Sequence, residues 1–354
     1  MPMTLRRTLM ACIAALALPL AACGDQADTA RTDGASGERV LNLYTARHYD
    51  GDLQVYAAFE KATGIKVNRI EGNADQLIAR MEAEGDASPA DVFITADAGA
   101  LWRAQNAGLL QPITSETLTT AIPAALREPG GHFFGTSRRA RVVAYDSTKV
   151  RPEEVDTYEE LASPRFRGKL CVRSSDSVYN LSLVGALLEA WGPEKTRQWV
   201  EGVVANMARP PEGGDRDQIR AVGAGVCEVA ITNSYYFIRM DRSTDPADVA
   251  LTDKVKLGFP SLNGQGAHVN VSGGGVAKNA PHRAEAIAFL EFLASPEAQV
   301  LNSEMNNEFP AATGVQAPAG VREFEGFTAN PMNVSVYGRR QSEAQSIMTA
   351  AGWR

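Results

Sequence analysis

A regular alternation of strand-like and helix-like segments, beginning at Arg39, most constrains what this chain can fold into. Short apolar runs at residues 40–44 and 91–95 are typical of strands. Residues 52–63 and 98–107 carry apolar side chains at helical spacing, and Gly64 ends the first of these helices. Alternating strands and helices favour parallel sheets that are covered by helices. We therefore predict an α/β fold from residue 39 onward.

The composition agrees with a folded body of ordinary polarity. The chain has 354 residues, of which 44% are apolar and 22% charged, as in globular proteins with a real core. At about 150 residues per domain, this length predicts two domains. The 35 basic and 42 acidic residues give a net charge of −7, which argues against a general affinity for nucleic acid. The composition also excludes a disordered chain and a membrane protein with several spans.

The N-terminus has the features of an export signal. Arg6 and Arg7 precede a short uncharged run, which is typical of a secretory signal peptide and too short for a membrane-spanning helix of about 20 apolar residues. The run ends in the letters LAAC at Cys23, which resemble a bacterial lipobox. We predict a signal peptide over residues 1–22, lipid acylation of Cys23 and a flexible tether over residues 23–38. The alternative is a plain cleaved signal with an incidental cysteine.

The four cysteines follow the same logic. Cys12 leaves with the signal peptide and Cys23 carries the lipid. Cys171 and Cys227 remain, and an even pair in an exported protein predicts a disulfide. Two buried free thiols are the alternative. The spacing matches neither a redox C-x-x-C motif nor a zinc site.

Three groups of aromatic residues follow predicted strands. His48 and Tyr49 come after the first strand, Tyr179 follows a serine-rich turn, and Tyr235 and Tyr236 come directly after a later strand. In α/β sheets, ligands bind outside the carboxyl ends of the strands. These side chains are therefore expected to converge on one crevice.

Four phenols and an imidazole indicate a hard, highly charged cation. A phenol has an unperturbed pKa of about 10, so a metal must displace its proton, which Fe³⁺ can do. Calcium and magnesium prefer carboxylates, and zinc prefers Cys and His. The alternative for each tyrosine is ordinary packing, the role that we assign to the other five. These are Tyr44, Tyr56, Tyr145, Tyr158 and Tyr337.

The charge of such a site predicts a cationic neighbour. Four phenolates around a trivalent ion leave one negative charge, and a buried charge needs a partner. Spacing alone does not choose among five arginines. The candidates are Arg47, Arg139, Arg141, Arg209 and Arg239.

Long stretches of the chain resemble a known family. They include LNLYTARHYDGDLQVYAAFEKATGIKVNRIEG, SPADVFITADAGALWRAQNAGLLQPI, RARVVAYD, RSSDSVYNLSLV, ITNSYYFIRM and GAHVNVSGGGVAK. With them the sequence resembles the ferric-iron-binding proteins of bacterial ABC transporters, of the cyanobacterial type. The resemblance covers nearly all of residues 39–354.

The resemblance implies a two-lobed periplasmic-binding-protein fold, each lobe a central sheet flanked by helices, with the ligand in the hinge cleft. It places residues 39–137 and 270–330 in the first lobe and residues 138–269 in the second. Residues 331–354 would form a C-terminal helix that packs on the body. The implied ligands of Fe³⁺ are His48, Tyr49, Tyr179, Tyr235 and Tyr236. Use of the histidine varies in such families, and a water or a small anion would complete the shell.

The implied function is binding of ferric iron outside the cytoplasmic membrane and delivery to an ABC permease and its ATPase. The protein would be a periplasmic monomer, tied to a membrane only through Cys23, and it would be neither an enzyme nor a nucleic-acid binder. Two alternatives stay open. One is a two-lobed binding protein for an organic anion or a polyamine, because a fold does not fix its ligand. The other is a non-haem iron enzyme with Tyr and His ligands, which needs an open coordination position.

Overall fold

A computed structural model describes residues 38–47 and 49–354. The predicted signal peptide, nearly all of the tether, Cys23 and His48 lie outside the described residues. The described part contains eight strands and twelve α-helices. The strands are β1 (Val40–Thr45), β2 (Lys66–Glu71), β3 (Val92–Thr95), β4 (Phe134–Asp146), β5 (Leu170–Cys171), β6 (Val229–Asn233), β7 (Val255–Gly258) and β8 (Val269–Val276). The helices are α1 (Asp50–Thr63), α2 (Ala74–Glu84), α3 (Ala98–Asn106), α4 (Glu116–Ala121), α5 (Val178–Asn206), α6 (Asp215–Gly223), α7 (Ser234–Asp241), α8 (Pro246–Lys254), α9 (Arg283–Leu293), α10 (Pro296–Asn306), α11 (Ala319–Arg322) and α12 (Ser335–Ala350).

The strands form a mixed sheet in the order β2-β1-β3-β8-β4-β6-β5, with β7 also paired to β4. The outer pairs are parallel, as predicted: β1 with β2 and β3, and β5 with β6. The central pairs are antiparallel, because β8 runs against β3 and β4, and β4 runs against β6 and β7. The prediction of parallel pairing therefore holds for the outer strands and is wrong at the centre of the sheet.

Strand β4 connects the two parts of this sheet. Its residues 134–140 pair with β8, and residues 141–146 pair with β6 and β7. The apolar pattern predicts a strand only at residues 141–145, because Gly135 and a run of polar side chains interrupt the first half. The pairing register also shifts between Gly135 and Ser137, which is typical of a β-bulge.

The glycine run 273–275 lies inside β8 and permits neighbouring segments of the backbone to approach it closely. A Cβ atom on Gly273 would lie 2.3 Å from the Phe134 carbonyl oxygen, and one on Gly275 would lie 2.2 Å from that of His132. Neither distance leaves room for a side chain. The run is therefore a place where chain segments cross closely inside a strand, and not a turn.

Helix α5 is longer than the sequence pattern indicates. The pattern predicts a helix over residues 181–191 that Gly192 ends. The structure begins the helix at Val178, breaks it at Gly192, where φ is 76° and ψ is 171°, and continues it to Asn206. Only a glycine adopts this conformation readily, and Pro193 is tolerated because it begins the second helical segment.

The C-terminal part of the chain closes one side of the core. Helix α12 packs against both α5 and α3. Trp353 follows it and is fully buried beside Trp199 of α5. Among the described residues, no helix is long and apolar enough to cross a membrane.

A disulfide joins Cys171 to Cys227, with 5.9 Å between their Cα atoms. Cys171 ends β5, which pairs with β6 over only two residues. Cys227 lies two residues before β6. The cross-link therefore fixes the neighbouring strands from which the chain leads to Tyr179 and to Tyr235.

Candidate metal centre

Four tyrosine side chains converge at one place in the described structure. The hydroxyl oxygens of Tyr49 and Tyr235 lie 2.9 Å apart, and those of Tyr179 and Tyr235 lie 3.2 Å apart. The rings of Tyr235 and Tyr236 lie against each other with centroids 4.1 Å apart and a tilt of 32° between their planes. The structure thus brings together four of the five residues that the sequence singles out, while His48 lies outside the described residues.

The ends of three strands position these tyrosines. Tyr49 follows β1 and precedes the first residue of α1, in an extended conformation. Tyr179 is the second residue of α5. Tyr235 and Tyr236 lie in the first turn of α7, directly after β6. The carboxyl ends of the strands therefore deliver the phenols to one edge of the sheet.

Burial decides the protonation of the phenols. Tyr49 and Tyr179 are each 9% exposed and Tyr235 is 2% exposed. Loss of hydration disfavours a charged phenolate and raises the pKa of Tyr49, Tyr235 and Tyr236 well above 10. The negative charge of neighbouring phenolates raises the pKa of each further. At neutral pH these three phenols give up their protons only when a strong cation replaces them.

Five guanidinium groups surround the tyrosine rings. Those of Arg47 and Arg239 lie 5.0 and 5.9 Å from the centre of the Tyr49 ring. Three others lie 5.3 to 5.8 Å from the centre of the Tyr179 ring. They are Arg139, Arg141 and Arg173. Four of these five are candidates from the sequence, and each can stabilise a phenolate nearby.

The arginines predicted from the sequence differ from those observed around the rings at two positions. Arg173 is not among the sequence candidates, although it follows strand β5 by two residues and faces Tyr179. Its position just after a strand is the signal that could have found it. Arg209 is a candidate, but the structure pairs it with Glu212 and Gln218. Within the described part of the chain, Arg209 makes no contact with the four phenols.

Buried carboxylates hold the arginines in place. Arg47 forms ion pairs with Asp52 at 2.8 Å and with Glu308 at 3.1 Å. On the other side, Asp215 accepts hydrogen bonds from Arg141 at 2.7 Å and from Arg173 at 3.4 Å. Asp215 also accepts a hydrogen bond from the backbone of Asn233, two residues before Tyr235. The sequence pattern gives no indication of Glu308 and Asp215, because the arginines that they contact are distant in the chain.

The arginines carry more charge than the carboxylates that contact them. Five arginines outnumber these three carboxylates, so this set of groups has an excess of two positive charges. Several buried guanidinium nitrogens also lack a hydrogen-bond partner in the described structure: Nε and Nη2 of Arg139, Nε of Arg141 and Nε of Arg173. Such a neighbourhood favours negative groups, phenolates included.

A cavity of about 460 Å³ lies beside the tyrosines. Arg47, Glu71, Asp97 and Tyr179 are among the residues that line it. Within the described residues, no group of three or more His, Cys, Asp or Glu side chains could hold a metal ion. The four converging side chains supply phenol oxygens, which suit a hard trivalent cation better than calcium or zinc.

Comparisons with known proteins assign the family. The sequence pattern of the bacterial extracellular solute-binding proteins matches residues 54–329. This chain belongs to that family. Iron uptake proteins A1 and A2 of Synechocystis are 44% and 48% identical to it, over 95% and 89% of this chain and 93% and 90% of theirs.

A solved structure of the Trichodesmium protein IdiA (FutA), in complex with iron and citrate ligands, is 51% identical. It matches 89% of this chain and all of its own length with a TM-score of 0.85. The two-lobed α/β fold that the sequence predicts is confirmed by this likeness.

Proposed function

We propose that this protein binds ferric iron outside the cytoplasmic membrane and delivers it to an ABC importer. The observation that carries the proposal is the convergence of four phenols, with hydroxyl oxygens of three of them 2.9 and 3.2 Å apart, within a ring of arginines. The Synechocystis relatives are named iron uptake proteins, and the Trichodesmium structure is a complex with iron; both support iron as the ion.

The proposed ligands are the phenolate oxygens of Tyr49, Tyr179, Tyr235 and Tyr236, with His48 as a fifth candidate. A ferric ion is a strong enough Lewis acid to replace the phenol protons, and phenolate is a hard anionic donor. Divalent ions replace protons of such raised pKa less readily. The donor set therefore favours the trivalent form of iron.

The arginines leave room for a further negative ligand. Four phenolates and Fe³⁺ together carry one negative charge, which reduces the local excess of two positive charges to one. A small anion, or a water that loses a proton, would complete the shell and neutralise this remainder. The citrate in the Trichodesmium complex is one chemistry of this kind.

Closure of the two lobes would complete the site. We assign residues 39–137 and 270–330 to one lobe and residues 138–269 to the other, with residues 331–354 packed on the body. Tyr49 then comes from the first lobe and the other three tyrosines from the second. An ion bound by all four stabilises the closed form, because only that form presents every ligand.

The export features complete the proposal. The signal peptide and the lipobox at Cys23 would deliver the protein to the periplasm and anchor it to a membrane by lipid alone. An iron-loaded, closed monomer would then dock on an ABC permease with its ATPase. The protein performs no catalysis in this account.

The proposal is tested on protein purified without added iron. We expect iron on metal analysis and a visible phenolate-to-iron absorption band. Changing both Tyr235→Phe and Tyr236→Phe removes two donors and should abolish the band and high-affinity binding. Tyr145→Phe is the matched control, because Tyr145 is a buried tyrosine of β4 away from the cluster, and it should keep both. An iron-free protein that holds an organic anion or a polyamine would contradict the proposal.

A further inference from the structure

Asp97 is a buried carboxylate at the start of α3, where it caps the helix by accepting a hydrogen bond from the Ala100 backbone at 3.1 Å. Its second oxygen accepts two more hydrogen bonds, each 2.8 Å long. One comes from the hydroxyl of Ser182 and the other from the side-chain amide of Asn270. All three side chains are buried, so water does not compete for these bonds in this form of the protein.

The bond between Asp97 and Ser182 connects the two sides of the tyrosine cluster. Asp97 lies two residues after β3, which pairs with β1, the strand that leads to Tyr49. Ser182 lies three residues after Tyr179 on α5, so the two side chains share one face of that helix. This hydrogen bond therefore joins the sheet that carries Tyr49 to the helix that carries Tyr179, beside the packing of α12 on both sides.

Helix α12 covers this bond from outside. The amide nitrogen of Gln341 lies 3.4 Å from both the Asp97 carboxylate and the Ser182 hydroxyl. A Cβ atom on Gly99 would lie 1.9 Å from that nitrogen, and one on Gly338 would lie 2.4 Å from the Cβ of Trp102. The absence of side chains at these two glycines lets α3 and α12 meet directly around the bond.

We propose that Asp97 and Ser182 are positioning residues, which hold Tyr179 against the Tyr49 side in the iron-bound, closed form. The inference rests on the proposed function. If the two lobes separate on opening, water reaches the Asp97 carboxylate. The hydrogen bond from the Ser182 hydroxyl then contributes little to the stability of the open form. A hydrogen bond that forms only in the closed form stabilises that form relative to the open one. It therefore adds to iron affinity, because iron binds the closed form and its apparent affinity rises with the population of that form.

The test removes the hydroxyl alone. Ser182→Ala leaves Asp97 its bonds to Ala100 and Asn270. Since one hydrogen bond contributes about 0.5–1.5 kcal/mol, we expect iron to dissociate about three- to tenfold faster. The melting temperature of the iron-loaded protein should fall, while that of the iron-free protein should stay unchanged.

Ser303→Ala is the matched control. Ser303 is a fully buried serine of α10, and its hydroxyl has no hydrogen-bond partner in the described structure. This variant should leave the iron release rate as it is. Asp97→Asn provides a second variant, because asparagine can still cap α3 but presents an amide N–H group in place of one acceptor oxygen. It should also speed iron release.

Two results would overturn the inference. If Ser182→Ala lowers the melting temperatures of the loaded and iron-free forms equally, the bond is a constant part of the fold. If the release rate equals that of wild type, the bond does not contribute to holding iron. Failure of the proposed function is distinguishable, since the wild-type protein itself would then bind no iron, and the inference would fall with it.

Discussion

At the scale of single residues, the proposed iron site depends on the protons of buried phenols. Burial raises the pKa of Tyr49, Tyr235 and Tyr236, so at neutral pH these side chains are neutral without iron. In the proposed site, each becomes a phenolate when the ion takes the place of its proton. Iron binding and proton release would then be one reaction.

For each ferric ion bound at pH 7, Tyr236→Phe should release about one proton fewer than wild-type protein. Because protons are products, the apparent affinity rises with pH and falls in acid. Calorimetry with one chelated iron source, in two buffers of different ionisation enthalpy, measures the number. Equal proton counts for the two proteins would contradict the assignment of Tyr236 as a ligand.

Glu308 supplies a pH dependence that does not involve iron. The nearby guanidiniums of Arg47 and Arg139, together with hydrogen bonds, lower the pKa of this fully buried carboxyl below 4.5 despite its burial. A carboxyl with a lowered pKa in the folded state stabilises the fold above its unfolded pKa of about 4.5, and the contribution is lost as the pH falls. Glu308→Gln removes the negative charge that faces the buried guanidinium groups of Arg47 and Arg139.

We expect Glu308→Gln to lower the free energy of unfolding of iron-free protein by about 3 kcal/mol at pH 7. The difference from wild type should shrink as the pH falls below about 4.5. Urea unfolding at a series of pH values measures both effects. A difference that stays constant down to pH 3 would refute the role given to the Glu308 charge.

The sequence pattern predicts the four phenols but not the charged residues that lie around them. Tyr49, Tyr179 and Tyr235 each follow a strand, and the rule for strand ends suffices to bring them together. Arg173 and Asp215 act through contacts that depend on how α5 and α6 pack. Such contacts leave no periodic signal in the sequence.

At the scale of secondary-structure elements, the position of the short strand β5 depends on strand β6 and on the disulfide beside it. It pairs with β6 over two residues, and the disulfide between Cys171 and Cys227 lies at this pairing. Eight residues separate each cysteine from a tyrosine of the cluster, Tyr179 or Tyr235. The cross-link therefore stabilises the part of the fold that positions these phenols.

Changing both cysteines to alanine should lower the free energy of unfolding by about 2–4 kcal/mol, as expected for a loop of this length. Guanidinium unfolding of the iron-free protein measures the loss. Wild-type protein treated with a thiol reductant should move to the stability of the variant. If reduction leaves wild type unchanged, the two thiols are not joined in solution.

Hydrophobic periodicity predicts some of the helices and strands well and others poorly. The sequence predicts a helix over residues 75–84 and the start of another at residues 295–296. The capped helices α2 (Ala74–Glu84) and α10 (Pro296–Asn306) begin within about one residue of these positions. Strand β4 is much longer than predicted, because its first half is polar and pairs with a glycine-rich partner. Pairing of β4 with β8 depends on chain segments about 130 residues apart, which no local pattern encodes.

At the scale of the whole molecule, the arrangement is a body whose two sides meet at one cluster of phenols. The family and the two-lobed fold follow from the sequence, since long stretches match known relatives. The lobe boundaries, the ligand set and the closing motion remain proposals. Each depends on Tyr49 and Tyr235 lying across the same cleft, with their hydroxyls in contact.

An anomalous difference map at the iron edge, from crystals of iron-loaded protein, would show which side chains bind the ion. The proposed ligand set predicts one strong peak bonded to the hydroxyl oxygens of Tyr49, Tyr179, Tyr235 and Tyr236. A peak bonded to other side chains, or a cleft that contains an organic solute and no iron, would contradict it.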